Sequence, residues 1–126
     1  MKYIDGFVLV VPKKNIKKYQ KMAEDAGKMW MKYGALQYIE TVGEDLFPKM
    51  GEEKIKIWSF PEMTNIKKGE TVVFSYIVYK NKKHRDEVNA KVMKDPTMND
   101  PKNKDIVMPF DLKKMAYGGF ETLVDL

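Results

Sequence analysis

The sequence predicts an α+β fold in which one antiparallel sheet is backed by two helices on a single face. Three observations carry this. The long β-rich stretches are apolar on both alternating faces. Two of the four stretches run directly into a helical pattern, and the elements follow the order strand, helix, strand, insertion, strand, helix, strand. That order is the split β-α-β arrangement of the ferredoxin-like fold, which leaves one sheet face without helices.

Each element has a local reason. Tyr3–Val11 is rich in branched and aromatic residues and stops at Pro12, as a strand does. Tyr3, Phe7, Leu9 and Val11 fall on one face, with Ile4, Val8 and Val10 on the other. Asn15 is the expected N-cap of a helix in which Ile16, Tyr19, Met22, Ala23, Ala26, Met29, Trp30 and Tyr33 recur at steps of three and four. Gly34 suits the left-handed residue that ends such a helix. Ala35–Val42 reads as the second strand. The insertion, at about residues 43–70, holds a short extended segment, "EEKIKIWSF". It also holds a short helix with Ser59 near its start and Pro61 in its first turn.

Thr71–Tyr79 is the strongest strand pattern, again apolar on both faces. Asn81 is placed to cap a helix over Lys82–Lys94 whose buried line includes Val88, Val92 and His84, and Asp95-Pro96 stops it. The last strand is expected at about Lys114–Leu123, with Gly118-Gly119 permitting a bend or bulge as the sheet curves, or letting another backbone or a ligand come close. An apolar face without helices needs a cover, and a second copy of the sheet across a two-fold axis is the economical one. The pattern therefore predicts one domain over residues 1–126 that pairs face to face into a dimeric α/β barrel.

Composition limits the rest. A chain of 126 residues, 44% hydrophobic and 33% charged, suits one soluble core and has no membrane-length apolar run. Asp5 inside the first apolar stretch, with no small-residue cleavage site after it, argues for a strand rather than a leader. The chain has no cysteine, so the cytoplasm is the expected compartment. The net charge is +5, but Arg85 is the only arginine among 23 basic residues, which argues against nucleic-acid readout.

Four segments, "YIDGFVLVVP", "AEDAGKMWMKYGAL", "ETVVFSYIVYKNKKHRDEVNAKVMKDP" and "MPFDLKKMAYGGFETLVD", span most of the chain. Together they resemble the YbaA-like family of small bacterial proteins of unknown function, the "HRD…VMKDP" and "MPFD…GGFE" blocks most specifically. That family is similar to the dimeric α/β-barrel superfamily, which includes cofactor-free monooxygenases, haem-degrading oxygenases and muconolactone isomerase-like and stress-responsive proteins. The resemblance implies a face-to-face homodimer and supplies no reaction. Where relatives are expected to carry "PFDGKRM", this chain has Leu112 and Lys114.

Candidate chemistry is sparse. Asp5 interrupts an apolar strand, so a raised pKa and a role as base are one reading; the plain alternative is a sheet-end carboxylate with a lysine or backbone partner. Glu40 shares the parity of Leu36, Tyr38 and Val42 and is expected to point at a buried face. His84, the single histidine, is a candidate base or hydrogen-bond donor, or simply a helix-start residue. Trp58, Ser75, Tyr76, Arg85 and Tyr117 are candidate ligand contacts, although strand aromatics are commonly core. Arg85-Asp86 is alternatively an ion pair holding the helix to the "MPFD" loop. No metal or cofactor is expected, and neither a phosphate loop nor a nucleophile triad is present. Two functions follow as expectations: binding or cofactor-free conversion of a small, largely apolar molecule, or a non-catalytic dimeric structural or stress-related module.

Overall fold

The computed structural model describes residues 1–49, 56–103 and 106–126. Strand β1 (Tyr3–Pro12), helix α1 (Ile16–Lys32), strand β2 (Gln37–Val42), the short helix α2 (Phe60–Thr64), strand β3 (Glu70–Tyr79), helix α3 (Lys82–Met93) and strand β4 (Met115–Glu121) follow in the expected order. The sheet order is β2-β3-β1-β4 and every neighbouring pair is antiparallel. This is the ferredoxin-like arrangement.

Register divides the sheet into two faces. Tyr3, Asp5, Phe7, Leu9 and Val11 of β1 lie opposite Tyr79, Ile77, Ser75, Val73 and Thr71 of β3. This face packs on α1 and α3: Tyr3, Ile77 and Tyr79 meet Val88 and Val92 in one cluster, and Leu9, Val11 and Val73 meet Tyr19 and Ala23 in another. Each fully buried aliphatic side chain contributes about 1.5–3 kcal/mol by leaving water. The other face carries Ile4, Val8, Phe74, Tyr76 and Phe120, with α2 resting on β3 through Phe60 and Phe74, ring centroids 6.4 Å apart. Within one chain this cover is incomplete, and Phe74 is 46% and Phe120 60% exposed.

The ends of the helices differ in detail from expectation. Gly34 has φ 109°, the left-handed geometry expected after α1. Asn15 does not cap α1; its amide donates to the Pro109 carbonyl at 2.9 Å instead. The "MPFD" loop is thereby fixed to the start of α1, where Phe110 also sets its ring edge against Tyr19 at 5.7 Å. Asn81 does cap α3, accepting from the His84 backbone at 2.8 Å. Ser59 and Glu62 form a reciprocal capping box on α2, with Pro61 in the first turn. The expected extended segment "EEKIKIWSF" falls partly outside the described residues, and its residues 56–59 are irregular.

The glycine pair in β4 makes no bulge. Pairing runs one to one from Tyr3↔Glu121 to Leu9↔Met115, with Asp5↔Gly119 and Gly6↔Gly118. The glycines are there for side chains that cross them. A Cβ on Gly119 would stand 2.8 Å from ring atoms of Tyr3 and closer still to its hydroxyl. On the opposite face the Phe120 ring lies over Gly6, where a Cβ would stand 3.1 Å from it.

Candidate functional site

Two groups of carboxylates and tyrosines share the helix-covered face of the sheet. The first surrounds Asp5, which is 2% exposed. Arg85 reaches back from the first turn of α3, and one guanidinium nitrogen donates to Asp5 Oδ1 and to the Tyr117 hydroxyl, both at 3.0 Å. The guanidinium also lies 5.0 Å from the centre of the Tyr3 ring, which Gly119 allows to lie flat across β4. Arg85 Nε is 2.8 Å from Asp86 but not aligned for a hydrogen bond. Burial pushes the Asp5 carboxyl above its ordinary pKa, opposed by the charge of Arg85 and by hydrogen bonds from Tyr117, Tyr79 and Arg85. Arg85 ties α3 to β1 and β4, not to the "MPFD" loop. Just after that loop, Lys114 meets Glu70 at the start of β3, 3.2 Å away.

The second group centres on Glu40. Tyr19 of α1 donates to Glu40 Oε1 at 2.6 Å, and Tyr38 of β2 donates to Oε2 at 2.7 Å. Tyr38 and Glu40 are two residues apart on one strand and so point the same way. Gly27 of α1 makes room for the Tyr38 ring, since a Cβ there would stand 2.7 Å from it. Burial first, and then Glu40 itself, hold both phenols far above their ordinary pKa, so they stay neutral donors at any physiological pH.

Among the described residues no cation is paired with Glu40, and it borders empty space. A cavity of about 410 Å³ between α1 and β2 is lined by Ile16, Ala23, Tyr38, Glu40 and Val73. A second of about 190 Å³ reaches deeper, past Leu9, Trp30, Ser75 and Phe110. Tyr19, Ala23, Tyr38 and Glu40 line both, so the carboxylate stands where the two spaces adjoin. Their combined size falls in the usual range for small-molecule sites.

The expected site residues are thus divided. Glu40 and Ser75 line the cavities. Tyr76 borders the deeper one, although its ring alternates to the open face and lies 6.1 Å from Phe74. Asp5, Arg85 and Tyr117 form the ion-paired group, in which Asp5 is buried and Tyr117 half exposed. His84 belongs to neither: its Nδ1 accepts from the Lys80 backbone at 3.0 Å and its ring edge meets Tyr79 at 5.9 Å. Trp58 is 70% exposed and lines neither cavity. Tyr19, Tyr38 and Gly27 complete the Glu40 group. Tyr19 and Tyr38 are legible in sequence only as apolar-face residues, and Gly27 gives no signal until the Tyr38 ring is seen against it. Among the described residues no cluster of His, Cys, Asp and Glu could hold a metal ion, and no helix is long and apolar enough to cross a membrane.

Comparison with known proteins agrees with this architecture. The chain is 39% identical over 125 residues to "Uncharacterized protein YbaA" of Escherichia coli K12, covering 99% of both. The protein of the same description from Shigella flexneri matches equally. Among solved structures, a dimeric ferredoxin-like protein from an uncultured marine organism superposes with a TM-score of 0.57 at 11% identity, covering 100% of each chain. At that identity the likeness concerns the fold. The family described as "Protein of unknown function (DUF1428)" matches residues 2–112, and the chain belongs to that family as a YbaA-like member.

Proposed function

We propose that the protein is a cytoplasmic homodimer that binds a small, largely apolar molecule in the cavity between α1 and β2, against the carboxylate of Glu40. One observation carries this reading: a carboxylate fixed by two neutral tyrosines stands at the junction of two largely apolar cavities, the larger of about 410 Å³. A carboxylate at such a boundary loses hydration and is retained only where something polar meets it. The unfilled space supports this reading over the alternative of a non-catalytic dimeric structural or stress-related module.

The superfamily resemblance extends the reading to cofactor-free oxidation or isomerisation. In such chemistry Glu40 is the group positioned to accept a proton from the bound molecule. Asp5, joined to Arg85, serves the packing of α3 instead.

Pairing of two chains is supported by the open sheet face, where Phe74 and Phe120 are 46% and 60% exposed, and by the dimeric state given for the marine ferredoxin-like protein. Sedimentation at micromolar concentration is expected to give a dimer, and Phe120→Lys a monomer. A wild-type monomer would end the pairing claim. For the cavity, wild type is expected to enhance Nile red fluorescence, and Ala23→Phe, which fills the shared wall, to lose that enhancement while staying folded. Equal enhancement by the two would refute the cavity as the site.

A further inference from the structure

The protein contains its own example of what completes a buried carboxylate set among tyrosines. Around Asp5 the completing group is a cation: the Arg85 guanidinium donates to the carboxylate and to Tyr117, and lies over the Tyr3 ring. Around Glu40 the carboxylate and tyrosines are present, and among the described residues no cation is paired with it. Each Glu40 oxygen accepts one tyrosine hydroxyl, which leaves each a further lone pair for another donor.

The charge that lines the cavities is negative. In a chain of net charge +5, no Lys or Arg among the described residues lines either cavity, while Glu24 lines the larger one with Glu40. Glu24 itself is paired with Lys28 at 3.3 Å, and that lysine is largely exposed at the outer surface. An anionic ligand would therefore meet the charge of Glu40 with no lining cation, among the described residues, to offset it. Beyond the headgroup the walls are apolar and aromatic: Ile16, Ala23 and Val73 in the larger space, Leu9, Trp30 and Phe110 in the deeper one.

We propose that the ligand of this cavity is an organic amine: a primary or secondary ammonium group held by Glu40 and the faces of Tyr19 and Tyr38, on an aryl or alkyl body that occupies the apolar space. This rests on the reading of the cavity as the binding site. It excludes carboxylic acids, phosphate esters and acyl thioesters bearing phosphate as ligands. A neutral alcohol keeps the hydrogen bond to Glu40 but lacks the charge, and ranks between.

Three probes with one body and different heads separate the possibilities: phenylbutylamine, phenylbutanol and phenylbutyrate, titrated by calorimetry and by backbone amide NMR shifts. The wild-type dimer is expected to bind the amine at least about tenfold more tightly than the carboxylate, with the alcohol between. The shifts should concentrate on α1 and β2. Glu40→Gln is expected to bring the amine down to the alcohol's affinity. If phenylbutyrate binds as well as the amine at those same residues, the amine assignment is overturned while the cavity stands. If none of the three moves α1 or β2 resonances, the cavity reading falls with it. The head-group ranking is measured on wild type, so it stands even if Glu40→Gln does not fold.

Discussion

Asp5 and Glu40 sit two strands apart on one face of one sheet, each held by tyrosine hydroxyls, yet they have opposite surroundings. Asp5 is sealed: Arg85 neutralises it and Tyr117 and Tyr3 close around the pair. Glu40 has the tyrosines and, among the described residues, no cation, and beside it is space rather than side chain. The difference teaches that a carboxylate on an apolar strand is not by itself a sign of chemistry. What separates a fastening from a site is whether the fold itself supplies the counter-charge.

The contrast can be broken hardest at Arg85. Helix α3 has only Val88 and Val92 fully buried, so the Asp5–Arg85 pair is a large part of what holds it. Arg85→Met leaves Asp5 buried and alone, and urea unfolding should show a loss of about 3–5 kcal/mol. The double change with Asp5→Leu should recover most of it, since the unpaired charge is then gone. At the other group, Glu40→Gln should cost only about 1 kcal/mol, the worth of a hydrogen bond rather than an ion pair.

Next in size is Gly119→Ala, whose methyl would run into Tyr3; a loss of about 1–3 kcal/mol is expected, partly restored by Tyr3→Phe. Gly118→Ala meets nothing closer than 3.6 Å and should be nearly silent. A subtler change sharpens the other side. Gly27→Ala displaces the Tyr38 ring, so probe affinity should fall several-fold, while the gain in helix propensity of about 1 kcal/mol offsets the strain in stability.

The smallest expected effect separates buried carboxylates by pH. Asp95, accepting from Tyr33 at 2.5 Å and from the Thr97 backbone at 2.8 Å, is held well below the usual carboxylate range by those bonds. Its contribution is complete above about pH 4 and is lost as pH falls towards its own pKa. Asp5 has the opposite sign: raised by burial, its contribution is present below about pH 4 and is lost as pH rises through its folded pKa. Between pH 5 and 2, Asp95→Asn should flatten the acid loss of stability and Asp5→Asn should steepen it. The reverse pattern in unfolding midpoints would contradict the two assignments.

Much of this architecture was legible before the structure. Alternation in β1 and β3 and the three-and-four spacing in α1 follow from burial on each face, which local sequence records directly. Glu40 was legible as inward-facing because it shares parity with Tyr38. What could not be read was partnership. Whether Arg85 reaches Asp86, the "MPFD" loop or Asp5 depends on how α3 lies across β1 and β4, which no local pattern encodes. The Gly118-Gly119 pair reads as a bulge because a glycine in a strand has two meanings, and only the uninterrupted register with Tyr3 and Phe120 crossing it decides between them. The same holds for Gly27 and Asn15, whose partners lie on β2 and in the loop before β4.

The most direct test of the division between fastening and site is a paired measurement of phenylbutylamine affinity and unfolding free energy for wild type, Asp5→Asn and Glu40→Gln. Asp5→Asn should lower stability and leave amine affinity near the wild-type value. Glu40→Gln should keep most of the stability and lose about tenfold or more in affinity. Loss of amine binding in Asp5→Asn together with its retention in Glu40→Gln would contradict the account.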